Sequence, residues 1–420
     1  VTTLAITSRP VVLETRASGA MLTDILARIA RIRGRTSAWG AEDPVRAEYL
    51  AGYSVEADFA LGYYRAGFVE GADPAILPGW TLARIGQANA YNAVGQLLSF
   101  ATGVPRITTR GLLIEGPATN LCANYNANPT DTTGVEFVDF GSGSSFAVVD
   151  DATALNDAGL TAICSTGKVY RLIAGASGAL AAFPGLVGTT GSCTVSAFIR
   201  GGTGLIYGGY DATPAIPASD SYVRRHSVVS GYVDARCTIL AQPNQTLYIV
   251  LNQAEEGVVL TSPIITTGAA ATRGYDNAAI DWPSLEAYTV FVEVVWPEVD
   301  VANGMFLEGV GTSGVTIAMN SAGSSVRLIN RSGNSPKEAE AAAQPAAGDV
   351  VRMAVSSAGD LAADGVALTG APPSRADWLT QVQIGARNTG TPSLSAGAFI
   401  RKLALIPDAL SPAELLELTQ

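Results

Sequence analysis

CTVSAFIR (193–200), GLIYGGY (204–210), HSVVSGYV (226–233), CTILA (237–241) and TLYIVL (246–251) follow one another with turn-forming residues between them. Within them apolar and polar side chains tend to alternate, the period that sends neighbouring residues to opposite faces of a strand. VEFVDF (135–140), FAVVD (146–150) and KVYRLIA (168–174) extend the series upstream. No long helical pattern interrupts residues 125–275. Short strands punctuated by turns at this density predict an antiparallel β-sandwich.

The same style returns after residue 282. YTVFVEVVWP (288–297), GMFLEGVG (304–311), GVTIAMN (314–320), VRLIN (326–330), DVVRMAVSS (349–357), VQIGARN (382–388) and AFIRKLALIP (398–407) read as strands. Asp364-Gly365 between LAA and VAL predicts a tight hairpin turn. Ser411, Pro412 and Glu414 have the spacing of a helix start with a capping box, so a short helix closes this part. Trp296, just before Pro297, reads as a core residue at a strand end.

The fold class expected is therefore mainly β: two antiparallel, jelly-roll-like sandwiches after a mixed N-terminal region. The expected layout is 1–80 for attachment and oligomerisation, 81–124 as a linker, 125–281 as the first sandwich and 282–420 as the second. In the first region Leu22, Ile25, Leu26, Ile29 and Ile32 recur at helical spacing, followed by Arg28, Arg31, Arg33 and Gly34. Such an amphipathic helix packs on its own subunit or serves as a docking element. The aromatic pieces between 50 and 120 are too short for a core of their own, and are expected to lie along a neighbouring domain or to pair between subunits.

Composition narrows the function. In 420 residues there are 26 basic and 37 acidic side chains, a formal net charge of −11, with the basic residues scattered. Nucleic-acid binding needs a clustered cationic surface, so it is not expected. No apolar run reaches membrane-spanning length, and the N-terminal VTTLAITSRPVVLETR lacks the pattern of a secretory signal. The single histidine, His226, removes HExxH and multi-histidine zinc chemistry. Cys122, Cys164, Cys193 and Cys237 show no CxxC spacing and read as buried small side chains.

Catalysis finds little support. No GxSxG surrounds a serine. Of the acids that would have to pair for glycoside hydrolysis, Glu255 and Glu256 are adjacent on a strand and point to opposite faces, while Asp150, Asp151 and Asp211 look loop-like. No cofactor is expected. Calcium would find oxygen ligands at Asp360 and Asp364, but no DxDxDG-type loop is present. Flat aromatic faces with polar neighbours suit pyranose rings. The candidates are Tyr207, Tyr210, Tyr222 and Tyr232 in the first sandwich, and Trp378 with Arg387 and Asn388 in the second. Arg110 and Glu115, with Arg106, Arg273 and Asp276, are read first as structural ion pairs fixing where the chain enters the sandwich. The alternative reading is a sugar-contacting charge pair.

RIGQANAYNAVGQLLSFATGVPRITTRGLLIEGPATNL (84–121) resembles the lead-in segment of phage tail-fibre and virion-surface proteins, through Arg84, Gly95, Pro105-Arg106, Arg110 to Glu115 and Thr119-Asn120-Leu121. NQAEEGVVLTSPIITTGAAATRGYDNAAI (252–280) is similar to the closing strand of the carbohydrate-binding-module-like sandwich that follows in such proteins. LAADGVAL, IGARN and the C-terminal GAFIRKLALIPDALSPAELLELT resemble concanavalin or laminin-G-like jelly rolls. The resemblance implies a virion structural protein of a tailed phage or phage-like particle, a surface fibre or head spike assembled in the host cytoplasm and trimeric. Its implied partners are further copies of itself, other tail or head proteins and host-surface polysaccharide, bound without catalysis or membrane insertion. A decoration or cementing protein without sugar binding, and a polysaccharide-degrading spike, are the alternatives.

Overall fold

The computed structural model describes residues 55–420 apart from 68, 93, 142, 209–214, 282–286, 297–304, 310–313, 320–325, 333–334, 341–344, 347, 369–380 and 386–396. The amphipathic segment at 22–33 therefore lies outside the described residues. What is described is mainly β, with antiparallel sheets and, among the described residues, two helices, Ala152–Asp157 and Pro412–Thr419.

The second sandwich begins well before residue 282. Its ten-stranded sheet sets Ala398–Ile406 between Thr289–Val295 and Val55–Asp58, with Val55 opposite Leu405 and Asp58 opposite Lys402. Tyr63–Ala66 and Val69–Gly71 continue that edge, and Gly111–Ile114 pairs with the start of Ala398–Ile406. The facing seven-stranded sheet takes in Thr81–Ala83 and Asn277–Asp281. The expected boundaries at 81 and 282 are corrected accordingly. Residues 55–83 and 277–281 supply strands of the second sandwich, because Val55, Ala57, Ala278 and Ile280 have apolar faces that no local partner buries. Between the sheets, Val290, Val292, Val294, Leu403, Leu405, Val351 and Met353 meet Phe306, Leu307, Val382 and Ile384. Trp296 is buried there against Phe306, ring centroids 5.7 Å apart.

Alternation also gives the ten-stranded sheet a second apolar face. Phe291, Ala354, Ala362 and Ala404 point away from the main core and are covered by Leu415 and Leu418 of the C-terminal helix. That helix starts at the expected capping box, with Ser411 N–H donating to Glu414 Oε2 at 2.8 Å. The Leu361–Ala363/Val366–Leu368 hairpin turns on Asp364 (φ 45°) and Gly365 (φ 71°), the pair of positive φ values that a two-residue turn matching strand twist requires.

The first sandwich is an insertion into the second. The chain leaves along Ala118–Asn120 and returns along Ala271–Arg273, and these two segments pair antiparallel as a neck, Arg273 opposite Ala118. Inside the insertion, two 23-residue strands, Ala179–Gly201 and Ser219–Ala241, pair along their length with register shifts between Pro184 and Ser192. One end of Ala179–Gly201 pairs with Glu136–Asp139 and the other with Thr246–Glu256. Phe183 from one end and Ile199 from the other share a core with Tyr170, Ile239, Leu247 and Ile249. Phe146 stacks on Tyr170 within it, ring centroids 5.5 Å apart, and Tyr170 meets Phe183 at a tilt, 5.2 Å apart. All four cysteines are buried and unpaired, three of them in this core.

Candidate functional site: an arginine–tyrosine row on an open sheet face

At the neck the structure collects four of the five charged residues singled out above, and adds Arg84. Arg106 donates to Glu115 through Nη1 and to Asp276 through Nη2, and its Nη1 also reaches the Asn89 carbonyl and Ser262 Oγ, both at 3.0 Å. Arg84 holds the other oxygen of Asp276 at 3.1 Å, and Arg273 lies 2.9 Å from Glu115. These side chains are 0–4% exposed. Burial alone would raise the Glu115 carboxyl, but Arg273 and Arg106 outweigh it and hold it at about 2. Arg110 stands apart from this network, with its guanidinium 4.2 Å over the Phe399 ring. Buried this deeply, the network ties the inserted sandwich to its host and presents no surface to a saccharide.

The aromatic candidates disperse. Tyr210, Trp378, Arg387 and Asn388 lie outside the described residues, as does Asp211. Tyr232 falls opposite Gly191 on the long hairpin. Tyr207 ends the strand Gly204–Tyr207 opposite Thr238, half-buried, its hydroxyl pushed up by burial. Tyr222 is near the other end of the strand that carries Thr238 and belongs to a different arrangement.

That arrangement is a row across one face of the inserted sheet. Arg171 is opposite Tyr248, and Tyr248 is opposite Arg200, so the three side chains leave the same face of adjacent strands. Ala147, opposite Arg171, continues the row toward the edge strand. The Arg200 guanidinium lies 4.1 Å from the Tyr248 ring centroid and 5.7 Å from that of Tyr222. Asp151 Oδ2 accepts from Arg200 Nε (3.1 Å), Arg200 Nη2 (2.7 Å) and the Tyr222 hydroxyl (2.7 Å). Burial works against the Arg200 charge, but the hydrogen bond and charge of Asp151 raise its pKa on balance. Burial and then the Asp151 hydrogen bond push the Tyr222 hydroxyl up, so it stays a donor.

The next row on this face is apolar. Val169, Val250 and Phe198 are covered there by Leu155 of the helix Ala152–Asp157 and by Leu160 and Ile163. Past that cover, Arg171, Tyr248 and Arg200 are each only partly buried, and the row reaches solvent. A tyrosine face flanked by guanidinium groups offers stacking and directed hydrogen bonds together, the combination a sugar ring uses. Sequence reasoning named Tyr222 but missed Tyr248, Arg171 and Arg200. The available signal was alternation within KVYRLIA, SAFIR and TLYIVL, which sets one such residue in each on the face opposite the main core.

The remaining candidates separate. Glu255 is buried and accepts from Thr261 Oγ1 (2.5 Å), whereas Glu256 is exposed. Asp364, at its hairpin turn, accepts from the N–H of Arg352 on the adjacent strand Val350–Ser356 at 2.8 Å. Among the described residues no group of three or more His, Cys, Asp or Glu side chains is placed to hold a metal ion.

No protein-family model and no curated protein matches the sequence. Among solved structures, the chain is similar to the CBM40 module of a Ruminococcus gnavus IT-sialidase bound to α2,6-sialyllactose. Identity is 18%, over 33% of this chain and 85% of that one, with a TM-score of 0.28. It is also similar to a botulinum neurotoxin type C structure described as interacting with two ganglioside molecules, at 10% identity over 35% and 40% of the chains, TM-score 0.28. A botulinum neurotoxin serotype D binding domain gives 10% identity over 34% and 40%, TM-score 0.29. Likenesses at this level assign no function.

Proposed function

We propose that the chain is a non-enzymatic saccharide-binding protein displayed on the surface of a tailed phage or phage-like particle, in a fibre, tail tip or head spike. The observation that carries the binding role is the Arg171–Tyr248–Arg200 row, with Arg200 held over Tyr248 by Asp151. A prepositioned stacking surface loses little side-chain entropy when a sugar settles on it. The virion setting is supported by the resemblance of 84–121 and 252–280 to virion-surface proteins. Binding at such a shallow face is weak per site. Several copies on one particle, a trimer in this reading, convert it to useful avidity. The neck suits this role: its buried ion network fixes the inserted sandwich relative to its host, so each copy presents the row in one orientation.

The test is retention of the intact protein on an array of neutral and acidic glycans, repeated with Tyr248→Ala. Binding by the native chain that Tyr248→Ala reduces by about tenfold or more supports the proposal. Binding that survives the substitution removes the row from the proposal. No binding to any glycan favours a decoration protein instead.

A further inference from the structure

We propose that the saccharide held by this row carries a carboxylate, and that Arg171 is the residue that selects it. This deepens the saccharide reading and rests on it. Arg200 and Arg171 flank Tyr248 symmetrically in the sheet but differ in what neutralises them. Arg200 spends both Nε and Nη2 on Asp151 and is fixed as part of the platform. Arg171 makes no ion pair among the described residues, and its buried Nε has no hydrogen-bond partner.

The surroundings keep that charge uncompensated. In the row itself the other members are Ala147, Tyr248 and Arg200, and beyond Arg200 come Tyr222 and Asp151, the latter already bound to Arg200. On the same face the neighbouring rows contribute Ser145, Ile173 and Thr246 on one side, and Val149, Val169, Val250 and Phe198 on the other. Arg224, opposite Phe198, adds a further cation, whose Nη2 donates to Ser196 Oγ at 3.1 Å. Glu255, farther along, is buried and pushed toward its protonated form by desolvation. In a chain of net charge −11, this face sets Arg171, Arg200 and Arg224 against Asp151 and the exposed Asp220, a local excess of positive charge. An acidic saccharide is repelled by the protein as a whole and attracted here. A carboxylate accepts from a guanidinium in a planar, two-bond fork, while the ring that bears it stacks on Tyr248. A neutral sugar would gain the stacking and hydroxyl hydrogen bonds from Arg171, but not the charge-assisted fork.

The experiment titrates the intact protein with three carboxylated polysaccharides of different backbone (hyaluronate, polygalacturonate and polysialate), each beside its own carboxyl-reduced form. The expected result is that at least one acidic form binds about tenfold or more tighter than its reduced counterpart, more weakly at high salt. Arg171→Gln is expected to bring that ratio close to one by weakening the acidic form several-fold more than the reduced form, and Arg171→Lys to restore it in part. Melting curves of the variants check that they fold. If the reduced forms bind as well as the acidic ones, or Arg171→Gln keeps the preference, the carboxylate assignment is wrong and the saccharide reading stands. If neither form of any of the three binds, both are overturned.

Discussion

Replacing Glu115 by Gln removes one charge from the neck and keeps its shape. In the native chain Glu115 Oε2 takes Arg106, Arg273 and Ser262 Oγ, and Oε1 takes the Ser262 N–H at 2.8 Å. Arg106 would keep Asp276, but Arg273, fully buried, would lose its ion pair and retain only Ser262 Oγ and the Gly116 carbonyl. Removing one partner of a buried pair costs about 3–5 kcal/mol. The pH dependence gives an independent magnitude. The folded carboxyl sits at about 2 against an ordinary 4.5, a difference of about 3 kcal/mol. Because the folded value is depressed, this stability is fully present above pH 4.5 and is lost as the pH falls toward 2. Guanidinium denaturation followed by circular dichroism measures both. The stability gap between native and variant should be flat from pH 5 to 8 and should close by about 3 kcal/mol on acidification to pH 2. A gap below about 1 kcal/mol at pH 7, or one that does not change with acid, refutes the account of the neck.

Other consequences are simpler to check. Gly111→Ala would set a Cβ 2.5 Å from the Ile400 carbonyl oxygen at a φ of +120°, so it should cost at least about 2 kcal/mol, read as a lowered denaturation midpoint. Burial pushes the thiols of Cys122, Cys164 and Cys193 up to about 12. A thiol reagent at pH 8 should therefore label none of them in the folded chain and all of them in guanidinium, as counted by mass spectrometry. Ser411→Ala breaks the capping box that starts the C-terminal helix and should cost about 1 kcal/mol in the same denaturation assay.

How far the fold could be read ahead of the structure depended on whether the deciding interaction was local. Alternation in YTVFVEVV, KVYRLIA and AFIRKLALI marked these strands, and Asp364-Gly365 and Ser411–Glu414 marked their own turn and helix start. Pairing carries no such local mark. That Val55–Asp58 lies beside Ala398–Ile406, so that the first sandwich is an insertion, depends on a partner some 350 residues away in sequence. ALAAFP (179–184) does not alternate, because Ala181 and Phe183 face one core while Ala182 is buried too, and its union with CTVSAFIR into one bent strand was hidden. At the neck, Glu115 drew notice as a charge in the apolar strand RGLLIE, Arg106 and Arg273 as its candidate partners, and Asp276 as a charge at the junction of the sandwiches. Arg84 was visible only as part of the lead-in segment, since its carboxylate is 192 positions away. The row was hardest to see. Alternation in TLYIVL sets Tyr248 on the face away from Leu247 and Ile249, but only the register shows that Arg171 and Arg200 flank it there.

The central claim is that saccharide settles on this row. Hydrogen exchange of the intact chain, with and without a glycan retained on the array, locates the contact directly. Slowed exchange should appear in Lys168–Ile173, Thr246–Glu256 and the 196–201 end of the long strand, and Tyr248→Ala should abolish it. Slowed exchange confined to the second sandwich, or to the neighbourhood of Tyr207, would contradict the assignment.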